Sequence, residues 1–214
     1  MGQAYKARKI SDNVYWVGAV DWSIRDFHGY ATERGTSYNA YLIMADKITL
    51  VDAVKAPYYD ELITRISSVI DPSKIDYIVS NHAEFDHSGC LDKMIDLISP
   101  EKVFASPNGK KALLQHFHAP LDITVLEDTK PLSLGNMNLV PVFTPMLHWP
   151  DSMMTYLDSD KVMFSQDGFG MHLASTERFA DEVPAFSVWY ETQKYYANIL
   201  TPFGMQIRKT LKRI

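Results

Sequence analysis

His82, Glu84, Asp86 and His87 put four potential metal ligands within six positions of one segment, Asn81-His82-Ala83-Glu84-Phe85-Asp86-His87-Ser88-Gly89. Imidazole nitrogens and carboxylate oxygens are the usual donors to first-row transition metals. In an extended or tightly turned loop His82 and Glu84 point the same way, and Asp86 and His87 can point to a second position. One short loop can therefore serve two metals. Each residue alone also fits a polar surface loop. The four together, directly after an apolar run at 75–79, favour a metal site.

That apolar run is the mark of a buried strand, and loops at strand ends are where α/β folds carry chemistry. Around it the pattern predicts strands at 14–17, 37–44 and 48–51, with Ala45-Asp46-Lys47 as the turn between the last two. A helix is predicted over 59–70, where Leu62, Ile63, Ile66 and Ile70 recur at helical spacing and Asp71-Pro72 stops it. Further helices are expected at 91–98 and 110–117, and strands at 103–105, 123–126, 137–143, 153–157 and 162–165. The chain reads as helical from Tyr190 onward, with an amphipathic stretch at 205–214 that has no stop signal at its end. Strands, then β-α-β, then strands, then helices suggest an α/β (α+β) protein built as an αββα sandwich.

Composition narrows the function. The 214 residues are 46% hydrophobic and 22% charged, which suits one substantial globular domain. The net charge is -5 without a basic tract, so phosphate-driven nucleic acid binding is not suggested. The single cysteine, Cys90, rules out an intrachain disulfide and fits a cytoplasmic setting. No apolar stretch is long enough to span a membrane, and residues 1–6 hold no apolar core of a signal peptide.

The loop resembles the His-x-His-x-Asp-His motif of the metallo-β-lactamase superfamily, including the following Gly89, with Glu84 in place of the second histidine. An imidazole-rich site suits zinc, whereas an added carboxylate suits iron or manganese. His-x-Glu-x-Asp-His is the pattern of the flavodiiron proteins, the rubredoxin:oxygen oxidoreductases and flavorubredoxin-type nitric oxide reductases. Other segments are similar to that family: Val17-Gly18-Ala19-Val20-Asp21-Trp22, Arg25 to Tyr30, Thr36 to Leu42, Thr144 to Met153, Ser165 to Gly170 and Tyr195 to Leu200. The resemblance covers essentially the whole chain.

It implies His148 as a further ligand and Asp167 as a carboxylate bridging two irons. It also implies His82, Glu84 and His148 on one iron, Asp86 and His87 on the other, and His28 and Tyr196 lining the substrate pocket. Dioxygen or nitric oxide would be reduced with electrons from FMN, itself fed by a rubredoxin-like donor. The family adds a sixth ligand, a histidine after the final helix, and a flavodoxin-like FMN domain. Neither is found in these 214 residues. The chain is thus expected to be a diiron domain lacking its C-terminal end, with the flavin on a missing domain or partner chain, in a homodimer or a split hetero-oligomer. His172 is the nearest substitute for the missing ligand, while His116 and His118 are expected to be exposed at a helix end. The alternatives are a zinc-dependent hydrolase of the same superfamily and a non-catalytic diiron oxygen sensor.

Overall fold

The computed structural model describes residues 5–118 and 120–214; the reading of the first four residues lies outside them. In chain order the strands are β1 (Arg8–Lys9), β2 (Val14–Trp16), β3 (Ala19–Asp21), β4 (Asp26–Phe27), β5 (Tyr30–Ala31), β6 (Thr36–Tyr38), β7 (Tyr41–Ile43) and β8 (Thr49–Val51). They continue as β9 (Tyr77–Ser80), β10 (Lys102–Ala105), β11 (Ile123–Val125), β12 (Leu132–Ser133), β13 (Asn138–Phe143), β14 (Met153–Leu157) and β15 (Val162–Phe164). The helices are α1 (Tyr59–Ser67), α2 (Phe85–Ser88), α3 (Leu91–Ile98), α4 (Pro107–Phe117), α5 (Ala185–Tyr195) and α6 (Gly204–Thr210).

A seven-stranded mixed sheet runs β1-β2-β7-β8-β9-β10-β11, and β12 to β15 form a four-stranded antiparallel sheet. Val51, Val79 and Phe104 of the first pack against Leu139, Met153, Leu157 and Phe164 of the second, forming the core between the sheets. The other face of the large sheet is covered by Leu62 and Ile66 of α1, Leu91, Met94 and Ile98 of α3, and Leu113 of α4. On the far side, Arg213, beyond α6, donates to the Phe143 carbonyl at the end of β13 and to Asp128. These layers are the αββα sandwich that the pattern suggests. No helix among the described residues is long and apolar enough to cross a membrane.

Several predicted elements have different bounds; α1, for example, ends at Ser67 rather than Ile70. The strand expected at 37–44 is two strands: β6 pairs with β3, and β7 pairs with β2 and β8. The chain changes partners at Asn39-Ala40. There Trp16 Nε1 donates to Asn39 Oδ1 at 2.9 Å, and a Cβ on Gly18 would lie 2.0 Å from the Tyr38 carbonyl oxygen. Only glycine lets the two backbones approach so closely. Helix α4 begins before residue 110 because Ser106 caps it, accepting from Gly109 N at 2.9 Å, with Pro107 in the first turn. Helix α5 begins at Ala185, just after Pro184, rather than at Tyr190.

Candidate metal centre

The loop after β9 is anchored at both ends. Asp52, at the end of β8, accepts from Asn81 N at 2.6 Å and Asn81 Nδ2 at 3.1 Å. The Asn81 carbonyl accepts from Met153 N of β14 at 3.0 Å, joining the two sheets at the site. Helix α2 is pinned to the chain after β8, where Ala53 N donates to the His87 carbonyl at 2.8 Å. Gly89 follows because a Cβ there would lie 2.4 Å from the Phe85 carbonyl oxygen and 2.9 Å from Ala56 N. The glycine thus serves the close approach of α2 to the neighbouring strand end.

All six residues proposed as ligands from the sequence converge. Ligating atoms of His82, Glu84, His148 and Asp167 lie within 4.8 Å of one another, as do those of Asp86, His87 and Asp167. In the first group His148 Nε2 is 3.1 Å from Glu84 Oε2 and 3.3 Å from Asp167 Oδ2. His82 Nε2 is 3.3 Å from Glu84 Oε2 and 3.2 Å from Asp167 Oδ2. Donors about 2.1 Å from a common ion, at angles between octahedral and tetrahedral, stand about 3.0–3.4 Å apart, so these spacings fit a coordination sphere. In the second group His87 Nε2 is 3.2 Å from Asp167 Oδ1 and 3.5 Å from Asp86 Oδ2. Asp167 thus turns one oxygen toward each group, the arrangement a bridging carboxylate requires.

Five of the side-chain atoms at the site are also left without protein partners. His82 Nε2, Glu84 Oε2, Asp86 Oδ1, His148 Nε2 and Asp167 Oδ2 are buried and make no hydrogen bond among the described residues. Buried polar atoms are almost always paired, so five orphans aimed into one volume fit a metal centre.

The electrostatics agree. Burial disfavours the His82, His87 and His148 imidazolium ions, but the surrounding carboxylates outweigh it. His87 rises to about 10, His148 to about 9, and His82 well above its ordinary value. Burial alone would raise Glu84 and Asp167, yet the histidines pull both well below the carboxylate range. Asp86 is raised, chiefly by burial. The six side chains therefore form a tight mixed-charge cluster from which incoming cations would displace protons.

A second layer orients the first. His82 Nδ1 lies 2.9 Å from Asp151 Oδ2, which also accepts from Ala83 N at 2.7 Å. His28 Nε2 lies 3.0 Å from Glu84 Oε1, and its Nδ1 lies 3.0 Å from His172 Nε2. His28 therefore reaches the donor set through Glu84 and is not itself placed among the His82, Glu84, His148 and Asp167 donors. His172 turns its other nitrogen to Thr36 Oγ1 at 2.8 Å, so it supports His28 and does not enter the metal groups.

Tyr196 makes no hydrogen bond to a proposed ligand. Its hydroxyl lies 3.4 Å from the Gly168 carbonyl oxygen, whereas the fully buried Tyr195 donates to Asp167 Oδ1 at 2.9 Å. Tyr195 closes α5 and Tyr196 opens a wider π-type turn, so the inward face falls one residue earlier. His116 is half-buried rather than exposed, with Nδ1 3.0 Å from the Ala83 carbonyl oxygen, while His118 is exposed. Asp151 and Gln166 were not singled out from the sequence. Their signal was position alone, three residues after His148 and one before Asp167.

A sandwich of two sheets with a two-part cluster of histidines and carboxylates at their joined edge defines a metallo-β-lactamase-like domain of the flavodiiron type. The chain belongs to the ODP family of beta lactamases, whose family model matches residues 36–210. It is 44% identical, over 96% of its length, to a nitric oxide reductase of Moorella thermoacetica, of which it covers 52%. The solved rubredoxin oxygen:oxidoreductase of Desulfovibrio gigas superposes with a TM-score of 0.95 at 45% identity, over 97% of this chain and 52% of that one. The flavodiiron protein of Giardia intestinalis superposes with a TM-score of 0.93 at 37% identity, over 99% of this chain and 52% of that one. The chain spans about half the length of the curated relatives it matches.

Proposed function

We propose that this chain is the diiron domain of an oxidoreductase that reduces dioxygen to water, nitric oxide to nitrous oxide, or both. The observation that carries the reading is Asp167, whose two oxygens face separate donor groups 3.2–3.3 Å away. His82, Glu84 and His148 would hold one iron, Asp86 and His87 the other, and Asp167 both. When bound, the iron pair supplies the electrons that a diatomic substrate takes up and that no side chain can provide.

The chain's own residues do the rest. Asp151 keeps the His82 ring aimed by holding its outer nitrogen. His28 holds the outer oxygen of Glu84 and, backed by His172, fixes its direction. Tyr195 holds Asp167 from the side of the second group. Three carboxylates beside three imidazoles favour iron over zinc.

Electrons would come from FMN on a flavodoxin-like domain or partner chain, fed by a rubredoxin-like donor. A homodimer or split hetero-oligomer would bring that flavin beside the irons. The cytoplasm is the compartment that suits Cys90, a buried free thiol.

The test is anaerobic loading with ferrous iron, followed by reduced flavodoxin-type FMN protein and measurement of dioxygen and nitric oxide consumption. Sustained consumption, abolished in Asp167→Ala, is expected. Iron binding without turnover would point to the sensor alternative. Tight zinc binding with hydrolase activity would overturn the redox reading.

A further inference from the structure

The two segments that complete the metal cluster, carrying His148 and Asp167, come from different places in the chain. His148 lies between β13 and β14, and Asp167 lies after β15. Their separation must be held to a few tenths of an ångström for His148 Nε2 to stay 3.3 Å from Asp167 Oδ2. One side chain bonds both segments directly. Gln166 Nε2 donates to the Leu147 carbonyl oxygen at 3.0 Å, and Gln166 Oε1 accepts from Asp167 N at 2.6 Å. That carbonyl belongs to the peptide unit joining Leu147 to His148, and that N–H belongs to Asp167 itself. The amide therefore touches the backbone of both residues at once.

Gln166 is held in this position at a cost. Its φ is +43°, in the left-handed region that a side chain with a Cβ seldom adopts. Glycine or asparagine would relieve the backbone. Glycine has no side chain, and asparagine is one methylene shorter. Neither would reach across to Leu147 while holding Asp167 N. A carboxamide of glutamine length supplies one donor and one acceptor on the same plane, which matches one carbonyl and one N–H. A glutamate in its place offers acceptors only, and would set an oxygen against the Leu147 carbonyl oxygen. A strained backbone retained at a site is a reason to look for function there.

We propose that Gln166 is a positioning residue of the metal centre, a clamp that sets the distance between His148 and Asp167 and so the affinity of the ion they share. The inference rests on the metal-centre reading above. Gln166 itself contacts no donor atom. It acts through the backbone of the two residues that do. Partners of this kind around metal ligands are worth about 10–100-fold in metal affinity.

The experiment uses the whole chain, stripped of metal and titrated anaerobically with cobalt(II), whose visible spectrum reports the coordination geometry. Wild type, Gln166→Leu and Gln166→Glu are compared. Thermal unfolding is recorded for each, with and without metal. Gln166→Leu removes both hydrogen bonds, and Gln166→Glu keeps the acceptor while removing the donor. The expected result is a cobalt affinity lowered about 10–100-fold in both variants, a changed visible spectrum, and a smaller metal-induced rise in Tm than in wild type. A residue with a merely structural role would lower the Tm of the metal-free chain and leave the metal-induced rise intact. Wild-type affinity and spectrum in Gln166→Leu, or in Gln166→Glu should the leucine variant not fold, would overturn the clamp. Failure of the wild-type chain to bind cobalt would overturn the metal-centre reading itself, so the two failures are distinct.

Discussion

Tyr195 and Asp167 meet at the junction of the two donor groups: the phenol donates at 2.9 Å to Asp167 Oδ1, the oxygen that also faces His87 Nε2 at 3.2 Å. Burial, reinforced by the Asp167 charge, holds the Tyr195 phenol well above its ordinary pKa, so it remains a donor throughout the working pH range. Replacing Tyr195 by Phe leaves a buried, ionised carboxylate short of one partner. The metal-free chain should lose about 1–3 kcal/mol, read from the urea unfolding midpoint. Metal stoichiometry should not change, because the phenol is not placed as a ligand. A midpoint indistinguishable from wild type would mean that Asp167 does not depend on this bond.

Asp151 carries a second prediction. It accepts from the outer nitrogen of His82 and from Ala83 N, and so fixes both the tautomer and the tilt of the ring. Asp151→Ala should weaken iron binding by about 10–100-fold in a chelator competition while retaining the six donor side chains. Unaltered affinity would show that the ring is aimed by packing alone.

Glu84 sets metal choice. Glu84→His restores an imidazole-rich donor set and should raise the zinc-to-iron ratio of protein purified from one medium containing both. The same substitution also removes the acceptor for His28. An iron-to-zinc ratio equal to that of wild type would sink the hardness argument.

A pH prediction lies away from the metal groups. Asp21 is buried, which by itself would raise its pKa. The Tyr38 hydroxyl at 2.7 Å, the neighbouring Tyr58 hydroxyl and bonds from Ser23 Oγ and N outweigh burial and bring it down to about 2. Because the folded value lies below the unfolded one, this stabilisation is fully present above about pH 4 and fades as pH falls toward 2. Asp21→Asn should cost the metal-free chain about 1–2 kcal/mol at neutral pH, with the gap to wild type closing between about pH 4 and pH 2. A gap that stays constant with pH would refute this assignment.

Much of this was legible in the chain. The segment from His82 to His87 announces a two-metal loop because the ligand types are dense and follow a buried strand. His148 and Asp167 were readable only through resemblance, since a lone histidine or an Asp-Gly turn says little. The resemblance pointed to Tyr196 and passed over Tyr195, the residue that reaches Asp167, because adjacent residues at a helix end differ by about 100° in direction and the π-type turn shifts the register. Asp151 and Gln166 were hidden for another reason. Their partners are 68 or 69 and 19 positions away, brought together by the joining of the two sheets for Asp151 and by the pairing of β13, β14 and β15 within one sheet for Gln166. The break at Asn39-Ala40 escaped notice because 37–44 is uniformly strand-like, and Gly18, which lets the Tyr38 carbonyl approach there, lies distant in the chain between β2 and β3.

The central claim is that Asp167 joins two iron sites. The most direct measurement is the iron content of the anaerobically reconstituted chain, with Mössbauer spectra, for wild type and Asp167→Ala at equal protein concentration. The account predicts two irons per wild-type chain in two distinct, magnetically coupled environments, and loss of both from the variant because each donor group includes Asp167. A single iron in the wild type, or two irons that persist with unchanged coupling in Asp167→Ala, would contradict it.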